Sequence, residues 1–197
     1  MLWLVLVLFV ALVVAVVRGG RLTNLADVRL NRWWLLPLGF LMQAATGLFP
    51  REASWAPGAA TATILASYLI LLVLVVANRN RTGLWLCGLG VLMNFSVIAL
   101  NAGMPVLSEA AAVASGVDDS AVLALNIKHV SLDAGTRLPF LADVIPLRLA
   151  NNGQVISLGD VFLAVGLAVF LEYELRRPVR WFRHGVKTEG GSATRQS

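Results

Sequence analysis

The sequence predicts an all-α fold: an integral membrane bundle of five transmembrane helices with a structured extracytoplasmic loop. Of the 197 residues, 58% are hydrophobic and only 14% are charged. The mean hydropathy of +0.77 is far too high for an ordinary soluble domain. Uncharged apolar runs long enough to cross a bilayer recur along the chain, and basic residues lie between them. Together these observations indicate a multi-pass membrane protein.

Five apolar segments are the predicted spans of a hydrocarbon core roughly 30 Å thick. They cover residues 2–17, 33–49, 60–77, 84–100 and 155–173. The first segment lacks a basic n-region and its flanking charge follows the apolar run, so we interpret it as a retained helix rather than a cleaved signal. Residues 1–184 are predicted to form a single membrane domain. Residues 185–197 are predicted to form a disordered cytoplasmic tail.

The basic residues predict the orientation of the chain. Twelve of the sixteen Lys and Arg residues follow the first span, separate the third span from the fourth, or fill the tail. The other four are Arg51, Lys128, Arg137 and Arg148. The positive-inside rule therefore places the N-terminus outside and the C-terminus in the cytoplasm. This topology and contact with anionic membrane lipid account for the positive charge, and we expect no binding to nucleic acid.

The outer loop, residues 101–154, is the region large enough to hold chemistry. Helix start and stop signals predict two short helices in it, at residues 110–114 and 121–126. Asp143 lies near the end of this loop, and Asp160 lies at the start of the last span. A carboxylate at the rim of a bilayer is costly, so two that converge on one helix end form a site hypothesis.

Four motifs follow one another before the last span. They are Asn101-Ala102-Gly103-Met104-Pro105, Lys128-His129-Val130, Phe140-Leu141-Ala142-Asp143-Val144-Ile145 and Ser157-Leu158-Gly159-Asp160. This order resembles a domain-of-unknown-function family of small bacterial polytopic membrane proteins, over nearly the whole chain. The family's first motif is typically Asn-Gly-Gly-x-Met-Pro, and this chain carries a shorter version. The resemblance implies a location in the bacterial plasma membrane and brings no established activity.

Asp143 and Asp160 also resemble the two catalytic positions of lipoprotein signal peptidases, the aspartic proteases of the bacterial membrane. The match covers their order, side of the membrane, approximate spacing and helix polarity. That family's Gly-Asn-x-x-Asp-Arg segment has no clear counterpart in this chain. The resemblance implies an outward-facing aspartic-dyad hydrolase or peptidase that acts on a lipid-linked or membrane-embedded substrate.

The chemistry of such a dyad assigns a role to each carboxyl group. Two carboxylates within hydrogen-bond reach share a proton, so one can activate a water while the other protonates the leaving group. Asp160, at a helix N-terminus, is expected to be ionised, and Asp143, among apolar neighbours, is expected to hold the proton. The candidate substrate-binding residues on the same rim are Asn101, Lys128 and His129. No cofactor is expected.

Each candidate residue also has a structural interpretation. Ser157 and Asp160 have the spacing of a capping box, and Asp143 can pair with Arg137 or Arg148. Lys128 and His129 can reach lipid headgroups. Residues 101–105 can simply end a helix, with the turn at the glycine and the end at the proline.

Two further alternatives differ in the class of function. One alternative is a metal site, because histidine and carboxylates suit zinc or manganese. It is the weaker hypothesis, since the outer loop contains one histidine. Its ligands would be His129, Asp133, Asp143 and Asp160. The chain can also be a non-enzymatic membrane protein, a lipid-binding or partner-binding subunit whose polar rim is structural. The distance between the two carboxyl groups would separate these hypotheses.

Overall fold

The computed structural model describes residues 2–50, 52–108, 110, 129–149 and 152–177. The α-helices in these ranges are α1 (Leu2–Val17), α2 (Leu35–Ala45), α3 (Ala56–Ala77), α4 (Leu84–Asn101) and α5 (Leu158–Leu175). Short 3-10 helices cover Leu22–Asp27, Thr46–Leu48 and Pro139–Leu141. Each predicted apolar segment overlaps one of the α-helices, and the described chain is mostly helical.

Several helix boundaries differ from the sequence-based prediction, among them the end of α2 and the starts of α3 and α5. The second apolar segment is α-helical only to Ala45 and then tightens into a 3-10 turn. The last helix begins at Leu158 rather than at Val155, because Val155 belongs to a strand and Ser157 caps the helix. The apolar pattern alone does not distinguish a buried strand end from the first turn of a helix.

The helices pack side by side in the order α2, α3, α4, α5, α1. The contact between α4 and α5 is close because glycines bring the two backbones together. A Cβ atom at Gly90 would lie 2.4 Å from the carbonyl oxygen of Gly159, and one at Gly166 would lie 2.5 Å from a backbone nitrogen of α4. Gly88 faces α3 instead, where a Cβ would lie 2.7 Å from Val75. These glycines therefore allow α4 to pack tightly against both neighbours.

Between α4 and α5, the described residues form four short strands, so the all-α prediction was wrong for this region. Strands β1 (Met104–Val106) and β2 (His129–Ser131) pair in parallel. Strands β3 (Ile145–Leu149) and β4 (Asn152–Ile156) form an antiparallel pair that leads into α5. All but the first residue of the two predicted short helices, 110–114 and 121–126, lie outside the described residues.

Two of the described helices, α3 and α4, are long and apolar enough to cross a membrane. Helices α1 and α2 are apolar but shorter, with 16 and 11 residues. Large apolar side chains are also exposed on the outside of the helices, among them Phe9, Leu41 and Val76, each with 60% or more of its surface open. Long apolar helices with exposed apolar faces indicate association with a membrane.

Ion pairs hold the end of the bundle where α5 finishes. The Glu174 carboxylate is only 3% exposed and lies 2.9 Å from the Arg81 guanidinium and 3.1 Å from that of Arg177. Nearby, Glu172 pairs with Arg18, which follows α1. A buried carboxylate needs compensating charge, so these arginines tie α5 to the segments on either side of it.

Candidate functional site

Five polar side chains gather where α4 approaches the start of α5. They come from α3, α4, the segment before β3, and the first turn of α5, and we call them the polar cluster: Tyr68, Asn94, Asp143, Ser157 and Asp160. Hydrogen bonds link some members directly, and the charges of the two carboxyl groups act on the others. The cluster contains both carboxylates that the sequence predicted as a dyad.

The start of α5 is a capping box. The Ser157 hydroxyl oxygen accepts a hydrogen bond from the backbone N–H of Asp160 at 3.1 Å. In return, Oδ2 of Asp160 accepts one from the backbone N–H of Ser157 at 3.1 Å. The structural interpretation of these two residues is therefore confirmed. The cap also fixes the direction of the Asp160 carboxylate.

Asn94 of α4 completes the surroundings of Asp160. Its Nδ2 donates a hydrogen bond of 2.9 Å to Oδ1 of Asp160, and its Oδ1 accepts one of 2.9 Å from the Ser157 hydroxyl. Gly159 makes this approach possible, because a Cβ there would lie 2.0 Å from the Asn94 side-chain oxygen. Both carboxylate oxygens of Asp160 thus accept hydrogen bonds.

Asp143 reaches the cluster because its backbone is fixed beside β1. Its N–H donates to the carbonyl of Pro105 at 2.9 Å, and its carbonyl accepts from the N–H of Leu107 at 3.0 Å. The residue is only 6% exposed. Burial, and then the charge of Asp160, raise the pKa of Asp143 from its ordinary value of 3.8 to about 8. Near neutral pH, Asp143 therefore holds a proton.

Sequence reasoning missed two members of the cluster, Tyr68 and Asn94. The Tyr68 side chain lies close to that of Asn94 and near both aspartates. Both residues lie inside apolar segments, on α3 and α4. Polar side chains inside such segments are themselves a signal of a functional or packing role, and that signal could have identified them.

Asn101, a predicted substrate-binding residue, lies apart from these contacts. Asn101 is two turns beyond Asn94 on α4, roughly 10 Å further along the helix axis. Its side chain binds the backbone of Arg137 through two hydrogen bonds of 2.8 Å. His129 opens β2, with its backbone paired to Met104. Lys128 lies outside the described residues.

The exit from α4 differs from the prediction in detail. The residue in the left-handed conformation is Ala102, with φ at 55°, and not Gly103. The hydroxyl of Thr61 donates a hydrogen bond of 2.7 Å to the Ala102 carbonyl, which holds this turn against α3. Asn101 then anchors the returning loop, so its observed contacts are those of a positioning residue.

The chemistry available at the cluster is that of carboxyl, amide and hydroxyl groups. Within the described residues, no group of three or more His, Cys, Asp or Glu side chains has the arrangement of a metal site. The alternative pairing of Asp143 with Arg137 or Arg148 stays a prediction. The arrangement brings the carboxyl group of Asp143 within electrostatic range of Asp160, whose two carboxylate oxygens accept hydrogen bonds.

Comparisons with known proteins identify relatives but no activity. The family of unknown function DUF5317 matches residues 27–172. An uncharacterized protein of Thermotoga maritima is 25% identical over 166 residues, which cover 83% of this chain and 87% of its own length. No solved structure matches. The comparisons do not show the resemblance to lipoprotein signal peptidases, whereas the resemblance to a domain-of-unknown-function family is confirmed. The chain belongs to the family of unknown function DUF5317.

Proposed function

We propose that Asp143 and Asp160 form an aspartic dyad that hydrolyses a lipid-linked or membrane-embedded substrate. The observation that carries this proposal is the unequal environment of the two carboxyl groups. Asp143 is buried with a pKa of about 8, whereas Asp160 accepts hydrogen bonds at both oxygens. Pairs of titratable groups whose surroundings drive them to different protonation states are typical of acid–base catalysis.

In this proposal, the Asp160 carboxylate removes a proton from a water as it attacks the scissile carbonyl, and Asp143 gives its proton to the leaving group. Both carboxyl groups then return to their starting states once a proton passes from Asp160 to Asp143. Asn94 and Ser157 hold Asp160 in one orientation, which lowers the cost of arranging the reacting groups. Because the two carboxyl groups interact, their titrations belong to the pair.

We also propose that the protein crosses the bacterial plasma membrane five times, with the N-terminus outside and the C-terminus in the cytoplasm. The two long apolar helices and the distribution of basic residues support this topology. It places the dyad at the outer face. A reporter fused after Ser197 should be cytoplasmic, and one inserted near Ser115 should be extracytoplasmic. Labelling of cysteines at Asp118 and Arg183 from the same side would contradict the five-span topology.

The decisive test of the dyad uses isosteric variants in a strain that lacks the chromosomal copy. Asp143→Asn and Asp160→Asn should each abolish function at unchanged expression, because the two residues work as a unit. Function is measured by growth and by the appearance of uncleaved substrate in the membrane proteome and lipidome. Asp133→Asn, in the exposed part of the outer loop, is the matched control. Normal complementation by both single variants would eliminate the hydrolase.

A second candidate function is a non-enzymatic lipid-binding or partner-binding subunit. It is favoured by the capping box, which already gives Asp160 a structural role. In that case Asp160→Asn costs about 1 kcal/mol or less of stability and leaves function intact, since asparagine is also a good capping residue. The same two variants therefore separate the two candidates.

A further inference from the structure

A groove of about 880 Å³ runs along one face of α3. Its apolar lining consists of five residues that repeat with helical spacing on a single face: Leu69, Leu72, Val73, Val76 and Ala77. Three of these side chains are largely open, since Leu69 is 50%, Val73 45% and Val76 61% exposed. The lining extends over roughly 12 Å of helix. The groove therefore has the volume and length to hold part of one hydrocarbon chain.

A basic residue stands at one end of this groove. Arg32 and Asn31 complete the lining next to Ala77, at the C-terminal end of α3. Asn31 is held there by a reciprocal contact with Asn78, which is 5% exposed. The backbone N–H of Asn31 donates to the Asn78 side-chain oxygen at 2.8 Å, and Nδ2 of Asn78 donates to the Asn31 carbonyl at 2.9 Å. The position of Arg32 relative to the groove is thus fixed.

The backbone of Arg32 is strained. Its φ is 57°, in the left-handed region that is unfavourable for a residue with a Cβ atom. Strain of this kind persists only where the surroundings enforce it, and it concentrates at binding sites. The Asn31–Asn78 contact holds the residue just before it, and Arg32 lines the end of the apolar groove.

The Arg32 guanidinium forms no ion pair or hydrogen bond with any described residue. Arg81, at the same end of the bundle, is neutralised by Glu174. The next two residues after Arg32 are Trp33 and Trp34, which are 66% and 53% exposed. Exposed tryptophans are typical of the level of lipid headgroups, so an unneutralised cation at this level complements a lipid phosphate.

We propose that this groove binds an anionic glycerophospholipid, with one acyl chain along α3 and the phosphate against Arg32. The apolar lining selects the chain and the single cation selects the charge of the headgroup. The proposal requires α3 to lie in a membrane but does not depend on the chemistry of the dyad.

The test is native mass spectrometry of the purified full chain with dioleoyl-phosphatidylglycerol or dioleoyl-phosphatidylcholine added to the detergent. Arg32→Gln should weaken phosphatidylglycerol binding about fivefold, as expected for one basic residue near a lipid phosphate. Arg79→Gln is the matched control, because Arg79 is exposed just after α3 and does not line the groove. It should leave binding within about twofold of the wild type. Equal losses in both variants, or equal binding of the two lipids, would overturn the proposal.

A second pair of variants tests the groove itself. Val73→Trp should fill it and reduce phosphatidylglycerol binding, whereas Leu92→Trp, at an exposed position of α4, should not. Glycerol 3-phosphate, added in excess, reports on binding by the headgroup alone. It should fail to displace the lipid. Displacement by glycerol 3-phosphate, or equal binding by both tryptophan variants and the wild type, would show that no acyl chain occupies the groove.

Discussion

Asn94 donates a hydrogen bond of 2.9 Å to Asp160, from the middle of one helix to the first turn of another. The same amide accepts the hydroxyl hydrogen of Ser157, so one side chain of α4 binds both members of the capping box. These residues are more than 60 positions apart in the sequence. The orientation of the candidate catalytic carboxylate is therefore set by the packing of α4 against α5.

Replacing Asn94 should destabilise the protein. Asn94→Leu removes a donor to Asp160 and an acceptor from Ser157, both at a buried position, and we expect a loss of about 1–3 kcal/mol. The measurement is the free energy of unfolding in detergent. Ser96→Ala is the control, since the Ser96 hydroxyl bonds only to the carbonyl of Leu92 in its own helix. Equal effects of the two variants would contradict this account of Asn94.

Gly90 should tolerate no larger residue. Gly90→Ala places a methyl group 2.4 Å from a carbonyl oxygen of α5, so the helices must separate, at a cost of about 3 kcal/mol. Gly58→Ala, on α3 where no atom lies within 4 Å, should instead leave stability unchanged or raise it by about 0.5 kcal/mol. The measurement is the thermal unfolding midpoint of each purified variant, compared with that of the wild type. A Gly90→Ala midpoint equal to that of the wild type would be inconsistent with backbone contact.

Stability should fall as pH rises toward 8. The unfolded Asp143 carboxyl ionises near 3.8 and the folded one near 8, so the folded protein binds more protons between these values. The stability contributed by the Asp143 carboxyl group is complete below about pH 4 and is lost by about pH 8. Asp143→Asn should reduce the pH dependence of the unfolding midpoint across this window. Asp133→Asn should leave that pH dependence unchanged. The same slope in wild type and Asp143→Asn would contradict the assignment.

Removing Arg81 should destabilise the opposite end of the bundle. Arg81→Met removes one of the two arginines that pair with the buried Glu174 carboxylate among the described residues, and we expect a loss of about 3 kcal/mol. Arg79→Met removes an exposed arginine nearby and should change stability by less than about 0.5 kcal/mol. Chemical unfolding of both variants provides the comparison. If Glu174→Gln restores the stability of Arg81→Met, the loss arises from the uncompensated charge.

The helices were predictable because long apolar segments have few alternatives. The segments at 60–77 and 84–100 correspond to α3 and α4 within a few residues. Strands β1 and β2 were not predictable, since each has three residues and their parallel pairing joins positions 25 apart, Met104 and His129. The hairpin of β3 and β4 did leave a signal, a turn-forming Asn-Asn-Gly sequence at 151–153 between two apolar runs.

The candidate site was predictable in part. Asp160 at the helix start was visible from its spacing to Ser157, and the structure bears out that capping box. Asn94 was overlooked because its role depends on which face of α4 meets α5, and a helical period gives the face but not the partner. The contact between Asn94 and Gly159 exists only in the tertiary structure. It depends on Gly159 having no side chain, because a Cβ there would meet the Asn94 amide.

The hydrogen bonds between Asn94 and the start of α5 also have a consequence for synthesis of the chain. Asn94 leaves the ribosome 63 residues ahead of Ser157, which at about 5–20 residues per second is a delay of roughly 3–13 s. During that interval the amide has neither of its partners at the start of α5, in a mostly apolar helix. A newly inserted α4 must therefore satisfy that amide elsewhere, with water, with the insertion machinery or with α3, until the last helix arrives.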